Sequence, residues 1–130
     1  MAAERDNERS VLVRADLSAV ADLVAGRVIG TLAQLTEERA TVHIALTGGR
    51  GGAAVLSAIA AHPWRDNINW ARVHLWWSDE RFVPAADPER NEVLARAALI
   101  DSIDIPARNV HAISASDAGI DVDAAADAYA

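Results

Sequence analysis

Behind Asp16, apolar residues recur every three or four positions at Leu17, Val20, Ala21, Val24, Val28, Leu32 and Leu35. Aspartate is a good helix N-cap, so this spacing predicts a helix with one buried stripe. The period then changes. Residues 41–46 are short and β-branched, run into glycines, and predict a buried strand. Residues 53–61 return to helical spacing, with Val55, Leu56 and Ile59 on one face and Pro63 as the stop. Residues 72–78 are nearly continuously apolar, the pattern of a strand covered on both faces. Asp87 and Pro88 form an N-cap and first-turn pair for a helix to about Ile103, with Val93, Leu94, Ala97 and Ile100 inward. Shorter signals predict an opening strand at 11–13, a further strand at 109–113, and the first turns of a helix at 122–130.

Alternating strands and helices imply parallel pairing through right-handed crossovers. The expected fold is α/β: an open, mostly parallel, Rossmann-like three-layer sheet in a single domain over residues 1–130. In such sheets ligands bind beyond the carboxyl ends of the strands, so the residues after Leu46 and after Trp77 should share one functional edge. The last helix reaches Ala130 after about two turns with no C-cap, so the sheet is expected to be incomplete at its C-terminus, the N-terminal half of a longer chain.

Composition narrows the chemistry. A 52% hydrophobic and 24% charged chain is too apolar for disorder. Twelve basic residues against 19 acidic ones give a formal charge of −7 and no basic stripe, so no nucleic-acid partner is expected. The absence of cysteine removes disulfides, thiolate metal sites and a cysteine nucleophile. His43, His62, His74 and His111 lack ligand-like spacing, so neither a metal nor any other cofactor is expected. The first ten residues carry charges of both signs and no apolar core, and no run approaches the ~20 apolar residues of a membrane span. No membrane association is expected, and the location expected is cytoplasmic.

Two stretches at the expected edge carry candidate chemistry. Gly48, Gly49, Gly51 and Gly52 lie between a strand and a helix, where backbone N–H groups and a helix N-terminus can bind an anion, with Arg50 as an added donor. A plain tight turn explains the same glycines. A triphosphate-binding loop needs a Lys-Ser/Thr pair, whereas Gly52 is followed by Ala53 and Ala54. Residues 49–54 also match G-x-G-x-x-A, with Asp79 near the end of the next strand, so a dinucleotide loop stays open. The second stretch, Asp79-Glu80-Arg81, joins a carboxylate able to orient hydroxyls to a guanidinium able to grip phosphate. A solvated loop with an internal ion pair is the plainer explanation.

Residues 77–84, Trp-Ser-Asp-Glu-Arg-Phe-Val-Pro, with Asn91 downstream and Thr47-Gly48-Gly49 upstream, resemble the 6-phosphogluconolactonase family, which shares the NagB/RpiA-like fold of the glucosamine-6-phosphate deaminases. Deaminases carry a tyrosine where this chain has Arg81. The resemblance implies hydrolysis of 6-phosphoglucono-1,5-lactone to 6-phosphogluconate in the oxidative pentose phosphate pathway. It implies that the Thr47-Gly48-Gly49 turn and Arg81 hold the phosphosugar, with Asp79 assisting near the reacting end. Arg50 and Gly51 are expected to extend the phosphate cradle, with Arg50 either strengthening the phosphate contact or crowding it; Asn91 is expected to donate to substrate or brace the tip, and Glu80 to hold the tip through hydrogen bonds. Arg50 and Arg90 stand where the family often has serine. The family's general base is a histidine in a G-x-x-G-H segment, which these 130 residues do not contain. A deaminase or isomerase on the same fold, a non-catalytic phosphosugar-binding module and a dinucleotide-dependent oxidoreductase are the alternatives.

Overall fold

The computed structural model of the chain describes residues 9–130. Helix α1, Leu17–Glu38, begins where expected, with the Asp16 side chain accepting a hydrogen bond from the Ala19 amide at 2.8 Å. Its buried residues are Ala21, Ala25, Ile29, Leu32 and Thr36, a stripe rotated from the expected one. Leu17 and Val20 are exposed, while Val24, Val28 and Leu35 are half-buried. Small alanines allow helix α2, Gly49–Ala61, to approach closely, and α1 packs against it. By length and hydropathy α1 passes as a possible membrane span, contrary to the expectation that no run comes near one. Its buried face nevertheless belongs to the common core. Arg72 closes its C-terminus by donating to the carbonyls of Thr36 at 2.8 Å and Arg39 at 3.3 Å.

Strands β1, Val42–Leu46, and β2, Val73–Trp77, pair in parallel with Val42 opposite Val73 and Leu46 opposite Trp77. The α/β class and parallel pairing therefore hold. Period-two alternation sends Val42, Leu46, Val73, Leu75 and Trp77 into one core, with Leu56 and Ile59 of α2 and Ala95, Leu99 and Ile100 further along. The opposite face carries the exposed His43 and Ala45 and the half-buried His74 and Trp76. Strand β2 is thus fully covered on one face rather than two, because the described helices α1 and α2 contribute to the same core layer. On the second face Trp76 stacks on His111 with ring centroids 3.8 Å apart, and His74 Nδ1 lies 2.8 Å from His111 Nε2.

Three further expectations change. Residues 11–13 are not a strand: Val11 and Val13 are largely exposed, and no strand lies beside them among the described residues. The strand expected at 109–113 shrinks to a single parallel bridge between Leu75 and Val110, because a 3-10 turn at Ala107–Asn109 precedes it. The helix expected from Asp87 is α3, Asn91–Ala98, followed by a 3-10 turn at Ile100–Ser102. Asp87 instead caps a turn, its carboxylate accepting from the Glu89 amide at 2.8 Å and its carbonyl from the Arg90 amide at 3.0 Å. The shorter helix buries Ala95, while Leu94 and Ala97 are exposed and Val93 is half-buried. Helix α4, Val122–Tyr129, is capped by Asp121, and its Tyr129 hydroxyl accepts from the Trp77 amide at 2.7 Å and donates to the Trp77 carbonyl at 3.1 Å.

Candidate functional site

The parallel register carries the ends of β1 and β2 to one edge. Ser78 fixes them there: its amide and its hydroxyl both donate to the Leu46 carbonyl, at 3.0 and 3.1 Å. Thr47 and Asp79 therefore leave the sheet side by side, as the topology required.

The glycines are less of a loop than expected. Gly48 is the N-cap of α2, and Gly49, Arg50, Gly51 and Gly52 form its first turn. Gly49 has φ +81°, a conformation that disfavours side chains. At Gly52 a Cβ would collide with the Thr47 carbonyl, so the turn closes only without a side chain. At Gly48 a Cβ would overlap the Asn91 side chain, which places Asn91 directly against the turn. Around Gly51 there is open space. The first amides of α2 lack intrahelical partners and face the edge with the positive end of the helix dipole. Arg50 is exposed on that turn.

The tip after β2 is built around Glu80. One carboxylate oxygen accepts from the amides of Arg81 at 2.9 Å and Asn91 at 2.7 Å, and the other accepts from the Glu92 amide at 2.9 Å. Glu80 thereby caps α3 from eleven residues upstream, where Arg90 supplies no side-chain cap of its own. This agrees with a structural part for Glu80. Asn91 Nδ2 donates to the Asp79 carbonyl at 3.1 Å, joining tip, turn and α3.

The structure thus brings Gly48, Asp79 and Asn91 together, with Thr47 and Gly49 beside them. Among the described residues, the Asp79 carboxylate and the Arg50 and Arg81 guanidiniums form neither ion pairs nor hydrogen bonds. Arg81 has both backbone groups engaged, its amide by Glu80 and its carbonyl by Arg90 at 3.2 Å, while its side chain is exposed. An unpaired guanidinium on the first turn of α2, a second on the tip and an unpaired carboxylate between them suit an anionic, hydroxylated ligand.

The histidines lie elsewhere. His43, His74 and His111 sit on the second sheet face and His62 ends α2. His43 is exposed, and its Nδ1 accepts from Trp76 Nε1 at 3.0 Å. Burial lowers the pKa of His74 from the ordinary 6.5, and the charges of His111, His43 and Arg108 lower it further. No group of three or more potential metal ligands occurs among the described residues. Sequence reasoning marks Arg90 only as a replacement for the family's frequent serine and misses its burial beneath the tip, because arginine ordinarily signals surface.

A family model described as glucosamine-6-phosphate isomerases/6-phosphogluconolactonase matches residues 15–130. A 6-phosphogluconolactonase from Streptomyces coelicolor is 45% identical over 122 residues, covering 92% of this chain and 47% of that protein. One from Mycobacterium tuberculosis is 45% identical over 105 residues, covering 79% of this chain and 42% of that protein. The crystal structure of a 6-phosphogluconolactonase from Thermotoga maritima superposes with a TM-score of 0.73 at 28% identity, covering 84% of this chain and 47% of that one. The chain spans about half the length of the relatives it matches. Matched through nearly all of its described length, the chain belongs to the glucosamine-6-phosphate isomerase/6-phosphogluconolactonase family.

Proposed function

We propose that this chain forms the phosphosugar-binding part of a 6-phosphogluconolactonase, the enzyme that hydrolyses 6-phosphoglucono-1,5-lactone to 6-phosphogluconate. The observation that carries this reading is Arg81: its backbone is held on both sides while, among the described residues, its guanidinium stands unpaired on the tip that Asn91 joins to the glycine turn. In this reading the amides of the Thr47-Gly48-Gly49 turn and of Gly51 bind the phosphate together with Arg50 and Arg81. Asp79 orients hydroxyls near the lactone end. Asn91 braces the tip, since its amide nitrogen is engaged by the Asp79 carbonyl. Residues 1–130 act as one phosphosugar-binding unit, supported by a single core, and work in the cytoplasm on a soluble substrate.

Attack of water on the lactone carbonyl needs a base to take the proton as the ring ester opens. The four histidines lie away from the edge, so the base comes from outside these residues, and the chain alone binds more than it turns over. Two measurements test this. Calorimetric titration with 6-phosphogluconate is expected to show saturable binding, and loss of 6-phosphogluconolactone in the presence of the chain is expected to stay near the spontaneous rate. Tight NADH binding with no response to the phosphosugar would overturn the reading in favour of a dinucleotide site. Ammonia release from glucosamine 6-phosphate would favour a deaminase.

A further inference from the structure

We propose that Arg90, working with Glu80, is a positioning residue that fixes the direction in which Arg81 presents its guanidinium. The proposal rests on the phosphosugar reading above. Arg90 is 1% exposed and sits where the tip, α3 and the segment before α4 meet. Its Nη2 donates to the Ile113 carbonyl at 2.6 Å and to Glu92 at 3.1 Å, and lies 3.8 Å from Glu80. Its Nη1 donates to the Arg81 carbonyl at 3.2 Å, while its Nε has no partner among the described residues.

Burying a guanidinium is costly unless its charge and donors are matched, and an apolar side chain of similar volume would fill the same space without that cost. Packing alone therefore does not explain an arginine here. What the arginine adds is a second donor to the Arg81 carbonyl, which also accepts from the Val83 amide at 3.0 Å, opposite the grip of Glu80 on the Arg81 amide. The peptide groups on both sides of the Arg81 Cα are thereby fixed, and with them the direction of its Cα–Cβ bond. The side chain beyond stays free to meet a ligand, so the restraint removes backbone freedom that binding would otherwise have to remove. The anchor on the Ile113 carbonyl ties this arrangement to the far side of the tip.

A double-mutant cycle separates positioning from general support of the fold. Dissociation constants for 6-phosphogluconate would be measured by NMR titration for the native chain, Arg90→Lys, Arg81→Ala and the double variant. Arg90→Lys is expected to weaken binding about 10-fold in the native background and by less than about 2-fold when Arg81 is already alanine. Equal losses in both backgrounds would overturn the proposal, because Arg90 would then act independently of Arg81. If the native chain shows no phosphosugar binding, the functional reading fails by itself and amide hydrogen exchange decides the structural one. The Arg81, Asn91 and Glu92 amides are expected to exchange at least about 10-fold faster in Arg90→Lys, with Val73 and Leu75 unchanged. Native-like exchange at Arg81 would overturn the proposal. Should Arg90→Lys not fold, Glu80→Gln with Arg90→Met removes both buried charges together and carries the same expectations at Arg81.

Discussion

Replacing Glu80 by alanine is expected to destabilise the chain by about 3–5 kcal/mol. The figure follows from the bonds lost. Three backbone amides, those of Arg81, Asn91 and Glu92, donate to this carboxylate at 2.7–2.9 Å. Losing a helix cap costs about 1 kcal/mol, and each donor left without its charged acceptor costs about 1–3 kcal/mol, less where water can reach it. Among the described residues Arg90 would keep Glu92 as its only carboxylate partner, which adds to the cost. Against a total stability of about 5–15 kcal/mol, the loss should lower the thermal midpoint by about 10–20 °C. Trp70 and Trp77 are buried, so their fluorescence reports the transition. Glu80→Gln keeps an acceptor and should cost only about 1–2 kcal/mol. A midpoint for Glu80→Ala within about 2 °C of native, or equal damage from both variants, would refute the capping role.

Neighbouring glycines should behave oppositely. Gly51→Ala meets open space and should be neutral or stabilising by about 0.5–1 kcal/mol, whereas Gly52→Ala drives a Cβ into the Thr47 carbonyl and should cost about 1–3 kcal/mol; urea midpoints distinguish them, and equal behaviour would contradict the turn geometry. His74 makes stability depend on pH. Its pKa is lowered in the folded chain, so its contribution is complete above the ordinary value of 6.5 and is lost as pH falls from there through the lowered folded value. Urea midpoints measured at about pH 7.5 and about pH 5.5 should fall further for the native chain than for His74→Gln, and parallel declines would contradict this role.

What the sequence reveals depends on how local the cause is. Helix α1 announces itself because its cap, Asp16, and its periodicity lie within it. The local pattern places helix α3 too early because its cap is Glu80, eleven residues upstream and across the tip, while Asp87 and Pro88 imitate a start and close a turn instead. Gly49, Gly51 and Gly52 resemble a loop because helix propensity disfavours them, yet close approach to Thr47 requires glycine at 52. Val11 to Val13 had strand composition but no neighbouring strand to pair with among the described residues. The edge that joins Thr47 to Asp79 was legible from strand order alone, and so was the polar composition of the tip. Arg90 was not, since its burial arises from acceptors on three separate segments.

The central claim is that the edge beyond β1 and β2 is a phosphosugar site, and amide shift mapping tests it most directly. Titration of the isotopically labelled chain with 6-phosphogluconate should move the signals of Thr47, Gly48, Gly49, Arg50, Gly51, Asp79, Arg81 and Asn91. Removing the Arg81 guanidinium by substitution with alanine should weaken binding about 10-fold. Shifts centred on the His43, His74 and His111 face, no saturable shifts at all, or unchanged affinity after the Arg81 substitution would contradict it.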